Sequence, residues 1–374
     1  MSTNRQVVIT ELPTGELRED HFELIEGPMP QPGPGEVLCR NILVSLDPAA
    51  RLWLTASAAY RTEHPGMAYE GDDAAAEAVV ETADLSLTRD AQPLRDIRKV
   101  LRPGDVMDAF TLCQVIDANG TDLTDGDIVL CMAGWQEYAA VPAAWARPIQ
   151  VVSPLTHHIG VLAITGLTAY RGMLQIAQPV PGETVVVSSA AGAVGTVAGQ
   201  LAKIRGARVV GITSSDLKNR FLEQELGFDA TVNYRSPTFA EDLAAAAPAG
   251  VDVFFDNAGG HIMETVLEAM VDHGRVACCG IVTQYNNAEA PVGPANVPVV
   301  LVVKRLRMEG LTVTDFSAEW PRAERELAGW IAAGRLKVVE EITDGLETAA
   351  AGLVGLFAGE NIGKRTVRVA PDPR

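Results

Sequence analysis

The chain has little cysteine and no long hydrophobic run. Its cysteines are odd in number, scattered and never in a C-x-x-C spacing: Cys39, Cys113, Cys131, Cys278 and Cys279. This usage favours a reducing compartment over a disulfide framework. No stretch approaches the roughly 18 uninterrupted apolar residues of a membrane helix, and residues 1–11 lack the apolar core of a secretory signal. We therefore expect a cytoplasmic protein that does not enter a membrane.

Basic residues are scarce relative to acidic ones. Thirty Lys and Arg stand against 48 Asp and Glu, which gives a formal net charge of -18. Such a surface repels a polyanion, so nucleic acid is not an expected partner. A small anionic ligand is still compatible with this charge, because a few local donors and one helix N-terminus are enough to bind it.

Clustered metal ligands are also missing from the sequence. The six histidines show no ligand spacing among themselves or with the cysteines. His157 and His158 are neighbours, but adjacent side chains point in different directions, so we interpret them as the start of a helix at a domain junction. We predict a site without metal.

The length and composition predict about two folded domains. The chain has 374 residues, of which 47% are hydrophobic and 21% charged. In the first third, Pro and Gly separate short β-rich runs, which predicts a mainly β domain with strands near residues 7–10, 36–45 and 127–132. An Ala- and Asp-rich segment at about 71–102, with a helix-compatible run at 73–83, breaks this pattern, and we interpret it as an insertion.

From about Pro154 onwards, apolar strands alternate with amphipathic helices. This alternation indicates an α/β fold with a doubly wound parallel sheet of the Rossmann type. We predict strands at 185–189, 208–212, 251–256, 275–280 and 311–314, with helices at 195–205, 218–226 and 263–271. Another strand, a helix near 347–358 and a terminal strand at 364–369 complete the chain.

The first of these strands runs into A-A-G-A-V-G, which spans Ala190 to Gly195. Gly192 and Gly195 lack a Cβ where the backbone of a dinucleotide site passes the pyrophosphate and where the helix packs on the strand. The diphosphate would then lie on the free N–H groups of the helix N-terminus. Ala190 replaces the first Gly of the usual motif, so a Gly/Ala-rich turn in a non-binding sheet remains the alternative.

The second strand indicates which dinucleotide binds. An NAD site has an Asp or Glu at the end of this strand, whereas this strand ends in Thr213 and continues into Ser214, Ser215 and Lys218. Small hydroxyls and a cation suit a 2′-phosphate, so the pattern favours NADP(H). Asp216 is an acidic residue close to this strand end and so argues for NAD, but we interpret it as a cap of the helix that contains Lys218.

Several longer strings occur in order along the chain. Together they closely resemble the zinc-independent, medium-chain reductase family of leukotriene B4 dehydrogenase/prostaglandin reductase, curcumin reductase and alkenal double-bond reductase. The match is nearly continuous from Gly134 onwards and patchy before it. It is carried by G-W-Q-E-Y-A (134–139), G-L-T-A-Y (166–170), A-A-G-A-V-G-T-V (190–197), L-G-F-D-A-T-V-N-Y (226–234), F-D-N-A-G-G (255–260), C-G-I-V-T-Q-Y-N (279–286), R-M-E-G (307–310) and N-I-G-K (361–364).

The resemblance implies a GroES-like catalytic domain formed by residues 1–157 and 337–374, and a Rossmann NADP-binding domain formed by 158–336. It implies NADPH in the cleft between them, with Lys218 and Tyr234 at the 2′-phosphate, and it implies a homodimer. Tyr285 matches a tyrosine near the nicotinamide and the substrate carbonyl, and Tyr60 lies where a substrate-side tyrosine often occurs. The candidate cofactor-binding residues are Ala190, Gly192, Ala193, Val194, Gly195, Ser214, Lys218, Tyr234, Asn257, Cys279, Gly280, Ile281, Tyr285 and Asn361.

The reaction that this resemblance implies is reduction of the double bond of an α,β-unsaturated ketone or aldehyde. Hydride reaches the β-carbon, and the Tyr285 hydroxyl is suited to donate a hydrogen bond to the developing enolate and to supply the proton. Tyr285 as a loop anchor is the alternative. Two other functions remain open: quinone reduction, and NADPH binding without catalysis. The family's D-P-Y-M-R-G reads Asp47-Pro48-Ala49-Ala50-Arg51-Leu52 here, so we expect an altered substrate pocket.

Overall fold

The computed structural model describes residues 3–54, 101–152, 154–286 and 294–373. Tyr60, the helix expected at 73–83 and nearly all of the expected insertion lie outside these residues. The strands are β1 (Thr3–Ile9), β2 (Phe22–Pro28), β3 (Glu36–Ser45), β4 (Phe110–Asp117), β5 (Ile128–Met132), β6 (Tyr138–Pro142), β7 (Arg147–Pro148), β8 (Thr184–Val187), β9 (Arg208–Thr213), β10 (Ala230–Asn233), β11 (Val251–Asp256), β12 (Met270–Cys278), β13 (Arg307–Gly310), β14 (Glu340–Asp344) and β15 (Lys364–Arg368).

The α-helices in the described residues are α1 (Ile164–Tyr170), α2 (Ala193–Ile204), α3 (Asp216–Leu226), α4 (Phe239–Ala246), α5 (Gly260–Ala269), α6 (Val297–Lys304), α7 (Trp320–Ala332) and α8 (Ala349–Ala358). Short 3₁₀ segments span Glu19–His21, Pro48–Leu54, Ala143–Trp145, Leu155–Ile159, Val313–Glu319 and Leu346–Thr348, and a π-helical turn, Arg171–Ala177, continues α1.

The second half of the chain forms the expected parallel sheet. In the described residues it has the order β10-β9-β8-β11-β12-β13, and every neighbouring pair is parallel. Counted from β8 as the first strand, this is the order 3-2-1-4-5-6 of a dinucleotide-binding Rossmann sheet. The order reverses between β8 and β11, so a crevice for a ligand opens where these two strands end.

The valines of β8 explain why this strand lies at the centre of the sheet. Val185, Val186 and Val187 are all fully buried. Val185 and Val187 pack with the helices on one face, whereas Val186 joins Val210 and Phe254 in the cluster on the opposite face. A continuous β-branched run of this kind is typical of a strand that is covered on both sides.

The mainly β part of the chain contains a mixed sheet in the order β14-β15-β3-β4-β5-β7, with β6 paired to β3, and a separate β1-β2 pair. The C-terminal strand β15 pairs antiparallel with β3, with Thr366 opposite Ser45. The end of the chain therefore lies in the sheet that the first third begins. The fold is α/β, with this GroES-like part beside the Rossmann part, as the sequence predicts.

One predicted strand was wrong. Residues 311–314 are not a strand. The sixth strand of the parallel sheet is instead β13, and residues Val313–Glu319 form a 3₁₀ segment. The apolar and β-branched run L-T-V-T suggested a strand, but pairing with β12 places Arg307 beside Arg275 and Gly310 beside Cys278. At an edge of the sheet, the pairing partner decides the position of the strand more than local propensity does.

Candidate functional site

The turn from β8 into α2 is built for close approach of a ligand. A Cβ on Gly195 would lie 2.4 Å from Ser189 O and 2.7 Å from Ala190 Cα, so only glycine fits there without a shift of the backbone. Gly192 is the N-cap residue of α2, and its N–H donates to Ser189 O at 2.9 Å. Ala193 and Val194 follow at the open N-terminus of the helix, where free N–H groups and the helix dipole favour a phosphate.

Lys218 lies in the first turn of α3 and is 8% exposed. Burial lowers the pKa of its ammonium group from the usual value. Among the described residues, its Nζ has no hydrogen-bond or ion-pair partner. Gly359 lies close by: a Cβ on this glycine would be 3.9 Å from Lys218 Nζ and 3.3 Å from Ser214 Oγ. The Glu341 carboxylate acts on this ammonium group from beyond ion-pair distance and raises its pKa, against the larger effect of burial. A buried cation without a direct ion pair in the described residues is suited to bind an incoming anion.

The cap of α3 differs from the interpretation made from sequence. The N-cap residue is Ser215, whose side chain accepts a hydrogen bond from Lys218 N at 3.4 Å, and Asp216 is the first residue of the helix. Asp216 Oδ1 accepts from Asn233 Nδ2 at 3.4 Å. The carboxylate therefore belongs to the first helical turn, where the helix dipole stabilises it.

Tyr234 follows β10 and lies next to the end of β9, where its N–H donates to Thr213 O at 3.0 Å. The guanidinium of Arg235 lies 5.7 Å from the centre of the Tyr234 ring, in a cation–π arrangement. Arg235 is also close enough to Lys218 to lower the pKa of that lysine. Arg235 therefore lies near both Tyr234 and Lys218, at the end of the sheet where the sequence predicts the 2′-phosphate.

Asn257 and the segment after β12 lie together at the other side of the crevice. Cys279 N and Gly280 N donate to Asp256 O at 2.7 and 3.2 Å, and Val282 N donates to Asn257 O at 3.1 Å. Burial and the nearby Asp256 carboxylate raise the pKa of the Cys279 thiol to about 12. This thiol is therefore protonated near neutral pH, and packing rather than redox chemistry explains it.

Tyr285 lies near the end of the segment that follows β12. Its Oη accepts a hydrogen bond from Ile281 N at 3.4 Å, and a Cβ on Gly280 would lie 3.3 Å from that oxygen. The hydroxyl therefore lies over the glycine that follows Cys279. The structure thus brings Tyr285 together with Asn257, Gly280 and Ile281, four of the residues that the sequence predicts near the nicotinamide.

Asn361 reaches the crevice from the C-terminal segment. Its Nδ2 donates to Gly363 O at 2.9 Å, and Gly363 N donates in turn to Ala191 O at 2.8 Å, inside the turn before α2. The segment between α8 and β15 thus forms part of the wall beside the predicted diphosphate site.

The two parts of the chain also meet at Asn286. Its Oδ1 accepts from Leu17 N at 2.8 Å and from Arg51 Nε at 3.4 Å, and Arg51 Nη2 donates to Gly15 O at 2.9 Å. The mainly β part therefore contacts the residue directly after Tyr285. Arg51 is the arginine of the altered D-P-A-A-R segment, and it is buried.

Within residues 3–54, 101–152, 154–286 and 294–373, no group of three or more His, Cys, Asp or Glu side chains is arranged to hold a metal ion. The site without metal stays a prediction. In the same ranges, no helix combines the length and apolar character needed to cross a membrane.

Sequence reasoning missed several residues of this crevice. Two of them could have been found from the sequence: Arg235 is a cation directly after Tyr234, and Asp256 is a carboxylate at the end of an otherwise apolar strand. Ser188, Gly363 and Asn286 gave no local signal. Their contacts join segments far apart in the chain, such as Ser188 to Asp256, 68 residues away.

The sequence and the fold of the chain are similar to those of known proteins. A family described as zinc-binding dehydrogenase matches residues 193–329, and one described as N-terminal domain of oxidoreductase matches residues 5–71. The NADPH-dependent curcumin reductase of Escherichia coli (strain K12) is 34% identical over 379 aligned residues, which cover 99% of this chain and 98% of that protein. The NADP(+)-dependent 2-alkenal reductase of Nicotiana tabacum is 38% identical over 279 residues, covering 72% of this chain and 78% of that protein.

Among solved structures, the fold is similar to that of CurA from Vibrio vulnificus in complex with NADPH. The two superpose with a TM-score of 0.83 at 30% sequence identity, and the alignment covers 98% of this chain and 100% of that chain.

Proposed function

Because the chain belongs to the zinc-independent medium-chain dehydrogenase/reductase family of curcumin and 2-alkenal reductases, we propose that it reduces the carbon–carbon double bond of α,β-unsaturated ketones and aldehydes with NADPH. The observation that carries this proposal is the crevice at the switch between β8 and β11. It combines a glycine-containing turn suited to a phosphate, a buried lysine that forms no ion pair within the described residues, and a tyrosine hydroxyl.

The residues fit NADPH at both ends of the crevice. Gly192 and Gly195 leave space for the diphosphate at the N-terminus of α2. Lys218 and Tyr234 would hold the 2′-phosphate, and Ser214 Oγ lies, like Lys218 Nζ, beside Gly359. Asn257, residues 279–281 and Asn361 would line the nicotinamide half. When bound, NADPH supplies the hydride.

Tyr285 is the residue that we assign to the reacting carbonyl. A phenol O–H group is able to donate a hydrogen bond. Negative charge develops on the carbonyl oxygen as the β-carbon accepts hydride, and a donor aimed at that oxygen lowers the barrier. The hydroxyl is also a proton source for the α-carbon, directly or through water.

The first experiment is NADPH consumption with four acceptors: a 2-alkenal, an alkyl enone, an aryl enone and a quinone. Mass spectrometry and NMR then identify the product. We expect a saturated carbonyl compound from at least one of the first three acceptors. Turnover with the quinone alone would refute double-bond reduction, and NADPH binding without turnover would instead favour a catalytically silent protein.

We also propose a homodimer that forms through the edge strand β13 and helix α6. Three valines on α6 are strongly exposed: Val299 at 61%, Val302 at 77% and Val303 at 62%. Exposed apolar side chains beside an open sheet edge favour pairing with a second copy. Light scattering on the purified protein tests this proposal, and a monomeric mass would refute it. A cytoplasmic location, which the cysteine usage favours, is testable by cell fractionation.

A further inference from the structure

Asp256, at the end of β11, is a fully buried carboxylate that the proposed chemistry does not use. In the described part of the chain it forms no ion pair with a basic side chain; instead it accepts hydrogen bonds from three donors. These are Ser188 Oγ at 2.6 Å, Ala258 N at 2.9 Å and Gly259 N at 3.0 Å. Burial raises the pKa of this carboxyl, and the three hydrogen bonds oppose that effect. Burying a carboxylate without a paired cation costs free energy of folding. We therefore expect Asp256 to have a function that an apolar residue could not perform.

The hydrogen bond to Asp256 fixes the direction of the Ser188 hydroxyl. Ser188 has one hydroxyl proton, and donating it to Asp256 leaves the oxygen lone pairs free to accept. Asn257 N donates to that oxygen at 2.8 Å, and Asn257 Nδ2 donates to Ser188 O at 2.8 Å. The Ser188 hydroxyl therefore holds the main chain of Asn257, and the Ser188 main-chain carbonyl orients the Asn257 side chain.

This arrangement leaves Asn257 Oδ1 as the remaining polar atom of the side chain. Among the described residues it has no hydrogen-bond donor, and Asn257 itself is only half-buried. It lies where β8 and β11 end, at the switch point of the sheet, with Gly280 close to its main chain. An oriented carbonyl oxygen at the mouth of a crevice is suited to accept a hydrogen bond from a ligand.

We propose that Ser188 and Asp256 are positioning residues: they hold the Asn257 main chain at the end of β11, so that Asn257 Oδ1 faces a hydrogen-bond donor on the nicotinamide-riboside half of NADPH. This inference rests on the proposed function, since it requires NADPH in the crevice. The hydroxyl and amide groups of that half are the donors in question. Asn257 would touch the cofactor, whereas Ser188 and Asp256 would act only through Asn257.

The test compares the binding of NADPH with that of 2′,5′-ADP, which lacks the nicotinamide riboside together with its phosphate. Isothermal titration calorimetry on the full chain gives Kd for both ligands in the wild type, Ser188→Ala, Asn257→Ala and the double variant. Ser188→Ala keeps the Ser188 carbonyl and removes the hydrogen bond from Asn257 N to the hydroxyl. If the displaced Asn257 then loses one hydrogen bond of about 1.4 kcal/mol to the cofactor, we expect NADPH to bind about tenfold more weakly. Binding of 2′,5′-ADP should stay within about twofold. The double variant should bind NADPH no more weakly than Asn257→Ala, because Ser188 acts through Asn257.

Thr231→Val is the matched control. It removes another hydroxyl-to-carboxylate hydrogen bond of 2.6 Å, from Thr231 to Glu223, away from the crevice, and it should change neither Kd. Equal weakening of both ligands in Ser188→Ala, or additive losses in the double variant, would overturn the positioning role, and so would an unchanged Kd for NADPH. Failure of the wild type to bind NADPH would refute the proposed function together with this inference.

Discussion

Replacement of Lys218 by methionine tests the assignment of the cofactor most directly. Methionine keeps most of the length and apolar volume of lysine and removes only the ammonium group. Since Lys218 is 8% exposed and its Nζ has no hydrogen-bond or ion-pair partner in the described residues, the substitution breaks no such pair. It removes the longer-range attraction to the Glu341 carboxylate together with the charge. We expect the variant to bind NADPH much more weakly and NADH almost as well as the wild type does.

The magnitude follows from the burial of Lys218. Two unit charges about 4 Å apart attract by about 4 kcal/mol at an effective dielectric constant of about 20. Part of this is lost, because the phosphate gives up its hydration on binding. A charge-assisted hydrogen bond contributes about 1.5–3 kcal/mol after this correction. A loss of about 2–3 kcal/mol corresponds to a Kd for NADPH about 30–150 times higher.

Fluorescence titration with both dinucleotides provides the assay. Lys337→Met is the control, because Lys337 is a surface lysine paired with Glu225 and its side chain is 52% exposed. It should leave both Kd values unchanged. Equal losses for NADPH and NADH in Lys218→Met, or no loss for NADPH, would refute the role of Lys218 at the 2′-phosphate.

Three further predictions concern the same crevice. Gly195→Ala should destabilise the protein by about 1–3 kcal/mol and weaken the binding of both dinucleotides, because the new Cβ would lie 2.4 Å from Ser189 O. Gly192→Ala, whose Cβ would lie 3.2 Å from the same oxygen, should have a smaller effect on thermal unfolding and on dinucleotide titrations. Tyr285→Phe should lower kcat for an enone about 10²–10³-fold while the Kd for NADPH changes far less, and an unchanged kcat would exclude the hydroxyl from the reaction. Because burial lowers the pKa of Lys218 and only the charged form pairs with phosphate, affinity for NADPH should fall as the pH rises through that lowered pKa. This fall should begin below the ordinary lysine value of about 10.4; Lys218→Arg should remove it, and affinity for NADH should show no such dependence.

Local patterns were sufficient for the part of the site that lies within one strand–turn–helix unit. In each of three segments, a few neighbouring residues are enough to predict the local structure. These segments are the valines of β8, the glycines at 192 and 195, and the Ser-Ser-Asp-Leu-Lys run after β9. The sequence alone therefore predicted the turn, the helix and the position of Lys218. The cap of α3 was assigned to Asp216 rather than Ser215, since both residue types cap helices and only the geometry of the turn selects one.

What the sequence by itself determined is the alternation of strands and helices after Pro154 and the strand–turn–helix unit around Gly192 and Gly195, because these depend on neighbours in the chain. Only the tertiary structure decided which distant segments share the crevice. Arg51 meets Asn286 across 235 positions, and Ser188 meets Asp256 across 68. These contacts arise from the pairing order of strands and from the packing of the two parts of the chain, and no local periodicity encodes them.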